Sequence, residues 1–256
     1  MGDFFGQAKY DIRFEWGPVG AVELHAEVAV VVDVLSFSTA VTVAVERGMR
    51  VYPFPWKDRR AAEFAAAHDA MLAVGRLEST KSESVVAPSL SPAGLLTCDF
   101  EPRIVLPSPN GSSISAALQQ TGSRVAIGCL RNAPAAAHWL QGQLAVGHSV
   151  AVIAAGERWA DDDSLRPALE DQLGAGAILS ELCTLGLEEL MSPESIGAAR
   201  IFDAIQPTLV DTLHECVGGR ELMSKGFEAD VAVAADLDAS SVVPVLTNGS
   251  FGRSLP

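Results

Sequence analysis

The chain is poor in positive charge, and that scarcity excludes several classes of partner. Its 256 residues contain 18 Lys and Arg against 32 Asp and Glu, which gives a net charge of −14. A surface this acidic repels nucleic acid and anionic membranes, so we expect neither as a partner. A small anionic substrate would need either a local group of arginines or a bound divalent cation.

Long apolar runs are also lacking. The most apolar region, residues 27–46, is interrupted by Asp33, whereas a membrane-spanning helix needs about 20 predominantly apolar residues. Residues 1–16 carry charges and have no apolar segment of the signal-peptide type. The four cysteines have neither zinc-motif nor disulfide-framework spacing. These observations predict a cytoplasmic protein with buried free thiols.

Apolar β-branched segments alternate with alanine-rich segments, which is the pattern of an α/β protein. Strands are predicted at residues 26–35, 50–53, 71–74, 104–106, 125–127, 149–154 and 231–235. Helices are predicted at residues 38–47, 56–67, 112–120, 133–144, 166–185, 193–205 and 207–216. We therefore expect an α/β fold. Residues 1–256 would form one compact domain, with two similar fused halves as a variant of that architecture.

Two of these helices have recognisable N-terminal signals. Asn132 can cap the helix that has Pro134 in its first turn, and Ser192 can cap the helix that begins at Pro193. Across the chain, polar residues follow the predicted strands. In open α/β sheets that edge is where ligands bind.

Asp33 interrupts a strongly apolar strand near its end. Burying an unpaired carboxylate is costly, and either a magnesium ion or a role as a hydrogen-bonded nucleophile would offset the cost. Ser38 and Thr39 then open a helix, where backbone N–H groups and hydroxyls favour an anion. It is equally consistent with the sequence that Asp33 caps a turn and Ser38 caps the helix.

A second polar loop, residues 107–113, follows a short strand and precedes a helix. Asn110 and Gly111 permit a tight turn, and Ser112 adds a hydroxyl, as in loops that bind phosphate. An ordinary turn before a capped helix is the alternative. Ser91 lies in a similar but shorter segment, residues 89–92.

Charged residues follow two further strands. Arg131 could bind an acid group with two parallel hydrogen bonds, or it could be an ordinary surface cation. Glu170 and Asp171 lie in the first turn of a predicted helix. Oxygen ligation of magnesium is one interpretation of this pair, and stabilisation by the helix dipole is the other. The five histidines form no recognisable triad or metal pair, so a catalytic histidine is not expected.

Taken together, these segments resemble the 2-phosphosulfolactate phosphatase family. The resemblance spans about the whole chain and rests on an ordered set of short matches. They are Asp33-Val34-Leu35 with Ser38-Thr39, Leu90-Ser91-Pro92, Pro109 to Ser112, Gly128 to Asn132, Ala155-Gly156, Glu170-Asp171 with Gly174 to Gly176, Gly226 to Val231, Asp236, and Val243-Pro244.

The resemblance implies a three-layer α/β/α sandwich with a largely parallel or mixed central sheet. It also implies a magnesium-dependent phosphatase that converts 2-phosphosulfolactate to sulfolactate, a step toward coenzyme M. Magnesium would be bound by Asp33, Glu170 and Asp171, which are also the expected catalytic residues. The attacking group would be water or the Asp33 carboxylate. The phosphoryl group and the substrate's acid groups would be bound by Ser38, Thr39, Arg76, Ser91, Asn110, Gly111, Ser112, Arg131 and Asn132.

The chain departs from the family pattern at three places. Ser36-Phe37 replace Arg-Ala, Arg76 stands where a Glu is usual, and Ser89-Leu90 replace Gly-Asn. These departures leave open a related phosphorylated hydroxy acid as substrate. They also leave open a non-catalytic sensor of such an acid, or a transferase built on the same loops. Size and class make a homodimer the expected oligomer.

Overall fold

The computed structural model describes residues 5–55, 58–74 and 88–254. The strands are β1 Ile12–Trp16, β2 Val28–Val32, β3 Arg50–Phe54, β4 Met71–Leu72, β5 Arg103–Pro107, β6 Arg124–Gly128, β7 Val150–Ala154, β8 Glu157–Arg158, β9 Leu165–Arg166, β10 Pro244–Thr247 and β11 Ser250–Arg253. The helices are α1 Gly17–Glu23, α2 Phe37–Glu46, α3 Arg59–Ala67, α4 Pro92–Thr97, α5 Gly111–Thr121, α6 Ala133–Ala145, α7 Leu169–Thr184, α8 Pro193–Ile205, α9 Leu209–Glu215, α10 Val217–Ser224 and α11 Glu228–Ala235.

Nine strands form one mixed sheet in the order β1-β7-β2-β6-β10-β11-β3-β5-β4. Strands β1, β7, β2 and β6 are mutually parallel, and so are β3, β5 and β4. The antiparallel β10–β11 hairpin joins these two groups through one residue pair on each side, Val245 with Ala126 and Phe251 with Val51. The two parallel groups therefore run in opposite directions.

Helices cover both faces of the sheet because its central strands are apolar on both faces. Every residue of β2 is buried. Val28, Val30 and Val32 face a core shared with α6, α7 and α8, whereas Ala29 and Val31 face a second core shared with α1, α2 and α5. This arrangement confirms the predicted three-layer α/β/α class.

Most predicted elements are present, and one is wrong. Residues 231–235 belong to the helix α11 and not to a strand. The alternation of valine and alanine resembles a strand, but Val231, Ala234 and Ala235 are buried at helical spacing. Alanine is also the strongest helix former, so the local composition favours the observed state.

The predicted N-caps have different outcomes. Ser192 accepts a hydrogen bond from the Ser195 N–H and caps α8, as expected. Asn132 occupies the N-cap position of α6, but its side chain makes no capping hydrogen bond to that helix. Its oxygen instead accepts from the Cys129 N–H, because a short 3₁₀ turn at Leu130–Asn132 precedes the helix.

The sheet brings three loops to one edge. In register, Val32 at the end of β2 pairs with Ala154 of β7 on one side and with Gly128 of β6 on the other. The segments that follow these strands therefore leave the sheet side by side. None of the helices in the described ranges is long and apolar enough to span a bilayer.

Candidate active site

Asp33 lies at this edge, where its carboxylate joins two helix N-termini. One oxygen accepts the N–H of Phe37, the first residue of α2, at 3.1 Å. The other accepts the N–H of Gly111, the first residue of α5, at 2.9 Å. The side chain is buried, and the two N–H donors with their helix dipoles offset the cost of burying its charge. Asp33 thus connects the loop after β2 to the loop after β5.

Asp171 makes a parallel connection from the first turn of α7. Its two oxygens accept the N–H of Val34 at 2.7 Å and the N–H of Gly156 at 2.9 Å. These donors belong to the loops after β2 and β7. Glu170 and Asp171 are both buried in the first turn of α7, which is the position predicted for them.

The carboxylates are close enough to interact electrostatically. Burial raises the pKa of Asp171 well above its usual range, and the charges of Asp33 and Glu170 raise it further. The two backbone N–H donors act in the opposite direction. A cation or a shared proton would relieve this repulsion.

Three predicted phosphate-binding hydroxyls point to backbone carbonyls. Ser38 donates to the Val31 carbonyl at 3.0 Å and Thr39 donates to the Val34 carbonyl at 2.8 Å. Ser112 makes a longer bond, 3.4 Å, to the Leu106 carbonyl. All three residues are fully buried. In this arrangement the hydroxyls stabilise the loops, and their contact with a substrate remains a prediction.

Ser91 is bound to α11, at a distance along the chain from the other loops. Its hydroxyl donates to the Asp230 carboxylate and accepts the Gly94 N–H at 3.0 Å. This pair caps the short helix α4. Ser91 therefore connects α4 to α11.

Arg131 and Asn132 follow β6, and both are buried. Arg131 forms an ion pair with Asp236 at 2.9 Å and donates to the Val233 carbonyl at 3.1 Å. The Asn132 amide donates to the carbonyls of Ile127 and Val242. Both side chains thus bind the protein itself. Arg76, also predicted to bind substrate, lies outside the described residues.

Glu170 points toward the N-terminus of α10. A Cβ built on Gly218 would lie 2.2 Å from the Glu170 Oε1, so only glycine leaves room for this carboxylate. The Cys216 thiol, which precedes α10, donates to the Leu213 carbonyl at 3.3 Å and accepts the Gly219 N–H at 3.3 Å. Burial, followed by the Glu170 charge, raises the pKa of Cys216 to about 12. The thiol is therefore protonated at neutral pH and is not a nucleophile.

A cavity of about 250 Å³ lies beside these loops. It is bounded by Asn110, Gly156 and Glu157 on its polar side, with apolar walls from Trp16 and Leu165. The Asn110 amide donates to the Glu157 carboxylate at 3.0 Å. The sequence places Glu157 in the cluster Ala154 to Glu157 but assigns it no role, although it follows an apolar strand almost directly, which is the signal that singled out Asp33.

The donor set accommodates a magnesium ion only in part. Within residues 5–55, 58–74 and 88–254, no group of three His, Cys, Asp or Glu side chains is arranged to hold a metal. Asp33 and Asp171 present both oxygens to backbone N–H groups, whereas the Glu170 carboxylate lies beside Gly218 at the start of α10. Magnesium commonly binds one or two carboxylates together with waters and substrate phosphate. These residues fit that mode and not a closed three-carboxylate cage.

Comparison with known proteins assigns the part of the chain that carries these loops to one family. Residues 20–249 match the family described as 2-phosphosulpholactate phosphatase. A probable 2-phosphosulfolactate phosphatase from Thermus thermophilus is 28% identical over 235 residues, which cover 90% of this chain and 92% of the relative. A second, from Symbiobacterium thermophilum, is 28% identical over 236 residues and covers 90% and 95%. The chain belongs to the 2-phosphosulfolactate phosphatase family.

Proposed function

We propose that this member of the family hydrolyses the phosphate monoester of a small acidic metabolite, with 2-phosphosulfolactate as substrate and sulfolactate as product. One observation carries the proposal: the family match, residues 20–249, includes every loop that Asp33 and Asp171 hold together beside the cavity. A related phosphorylated hydroxy acid is the nearest alternative substrate.

In this proposal Asp33 and Asp171 position the loops between which the ester reacts. Asp33 binds the start of α5 and Asp171 binds the loop after β7. These hydrogen bonds hold in place two loops that line the cavity, at Asn110 and at Gly156. Catalysis of phosphoryl transfer depends chiefly on such positioning and on electrostatic stabilisation. Because both Asp33 oxygens are engaged with backbone donors, attack by water is favoured over an acyl-phosphate at Asp33.

The acid groups of the substrate need a cation near the cavity. Arg158 lines the cavity and is paired with Asp163 at 3.1 Å in an exposed ion pair. Exposed pairs contribute only about 0–1 kcal/mol, so this guanidinium can turn to a substrate carboxylate or sulfonate at little cost. Magnesium, bound by one or two of the carboxylates of Asp33, Glu170 and Asp171 together with waters and the substrate phosphate, would neutralise phosphoryl charge.

The test is phosphate release from a panel of esters that contains 2-phosphosulfolactate, 2-phospholactate and 3-phosphoglycerate. We expect the sulfonated ester to react fastest, EDTA to abolish release, and added magnesium to restore it. Asp33→Asn should lose activity, with thermal melting as the control for folding. Labelled phosphate that stays bound to protein trapped during turnover would contradict water attack.

A non-catalytic sensor makes a different prediction in the same panel. The absence of phosphate release from every ester, together with a higher melting temperature in the presence of one of them, would favour sensing. Transfer of the phosphate to an acceptor other than water would favour a transferase.

A further inference from the structure

Glu157 lines the cavity beside the buried aspartates and has no role in the proposed function so far. It is the first residue of β8 and follows Gly156, whose N–H binds Asp171. Its carboxylate accepts the Asn110 amide, and Asn110 directly precedes Gly111, whose N–H binds Asp33. Glu157 is therefore fixed by the same two loops that the buried aspartates hold in place.

The surroundings of Glu157 are those of a carboxyl group that faces a small ligand. The side chain is half-buried and lines the cavity of about 250 Å³ together with Asn110. Pockets that bind small molecules are mostly apolar, with a few precisely placed polar groups. Trp16, Pro18 and Leu165 supply the apolar walls here.

Burial and the neighbouring carboxylates raise the pKa of Glu157. Burial is the largest cause that raises its pKa, and the carboxylates of Glu170 on α7 and Glu221 on α10 also raise it. The Asn110 amide and Arg166, which pairs with Glu157 across the β8–β9 ladder, act in the opposite direction. The balance is a raised pKa, which is the property of a group that donates a proton.

We propose that Glu157 is the proton donor to the ester oxygen that leaves phosphorus, an inference that rests on the proposed phosphatase function. A water oxygen forms the new bond to phosphorus, and the ester P–O bond breaks with its electron pair on the alcohol oxygen. That oxygen takes the Glu157 proton. The proton lost by the attacking water passes to a phosphoryl oxygen, and solvent reprotonates Glu157.

The leaving group explains why this donor is needed. The hydroxyl of a hydroxy acid leaves as an alkoxide with basicity near that of hydroxide, the conjugate base of water with a pKa of about 15.7. Positioned proton transfer of this kind contributes about 10²–10⁴-fold in rate. A nitrophenolate leaves without such help because its negative charge is delocalised over the ring.

The test compares Glu157→Gln with the wild type on 2-phosphosulfolactate, an alkyl ester, and on p-nitrophenyl phosphate. Glutamine keeps an oxygen acceptor for Asn110 but has no acidic proton to transfer. We expect kcat/KM to fall about 10²–10⁴-fold for the alkyl ester and much less for the aryl ester. The decline in wild-type activity toward high pH should be absent from the variant.

Glu189→Gln, an exposed glutamate away from the site, is the matched control and should leave both rates unchanged. An equal loss with both esters, or full retention with the alkyl ester, would overturn the role of Glu157 while leaving the phosphatase function intact. Failure of the wild type to release phosphate from 2-phosphosulfolactate and from every other ester of the panel would overturn the proposed function and this inference with it.

Discussion

Gly218→Ala tests whether phosphatase activity depends on the exact position of the Glu170 carboxylate. A Cβ at this position would lie 2.2 Å from the Glu170 Oε1 and 2.9 Å from its Cδ. A normal carbon–oxygen contact is about 3.3 Å, so the carboxylate must move by about 1 Å. A displacement of this size at a catalytic group can cost about 10²-fold in rate. We therefore expect kcat to fall about 100-fold.

The fold itself should tolerate this substitution. Gly218 is the second residue of α10 and does not have the positive φ that would strain an alanine. Alanine also has a higher helix propensity than glycine. The atom in its way is the end of a side chain and not the backbone. The melting temperature should therefore stay near that of the wild type.

The assay is phosphate release measured alongside thermal melting, with Gly197→Ala and Gly142→Ala as controls. Those helical glycines have open space where a Cβ would stand, so both variants should keep full activity. Unchanged activity of Gly218→Ala would refute the claim that Glu170 acts from its observed position. A large loss of stability would show that the clash is relieved by the backbone.

Three further predictions concern stability. Gly219→Ala places a Cβ 1.8 Å from the Leu213 carbonyl oxygen; because that atom is backbone, we expect a loss of about 1–3 kcal/mol in urea unfolding. Ser192→Ala removes the α8 cap and should lower the free energy of unfolding by about 1 kcal/mol. The control, Ser224→Ala at an exposed position, should change it by less than about 0.5 kcal/mol. Equal effects of the two substitutions would contradict the capping role. The pKa of Asp171 is higher in the folded protein than in the unfolded chain. Protonated Asp171 therefore stabilises the folded protein in acid, and this contribution declines as pH rises from the unfolded pKa of about 3.9 through the folded pKa. The free energy of unfolding of the wild type, minus that of Asp171→Asn, should therefore be larger at pH 4 than at pH 7. A value that grew with pH would contradict the raised pKa.

The sequence predicts the part of the fold that depends on local pattern. Strands β2 and β7 are continuous apolar segments, and helix α8 begins and ends where its proline and periodicity predict. The β10–β11 hairpin was missed despite a usable signal. Asn248 and Gly249 both have positive φ, and Asn-Gly between apolar segments is characteristic of a two-residue hairpin turn.

The place of the candidate site residues in the fold was predictable, but their contacts were not. Asp33, Glu170 and Asp171 follow or precede elements that meet at one sheet edge, as topology requires. No local pattern indicates that Arg131 pairs with Asp236, 105 positions away. The N–H groups that the aspartates accept also come from distant loops. Hydrogen-bond partners depend on the tertiary arrangement, so polar loop residues that looked available for phosphate proved to be engaged with the backbone.

The β10–β11 hairpin has a consequence for how this sheet is completed during synthesis. It follows in the chain every strand that it joins, and its ladder with each parallel group consists of a single residue pair. Until residues 244–253 have left the ribosome, β6 and β3 present open edges, and unpaired edges are templates for association with other chains. Sheet closure is therefore a late event, and slow translation ahead of residue 244 should lengthen the exposure of both edges and increase aggregation of the nascent protein.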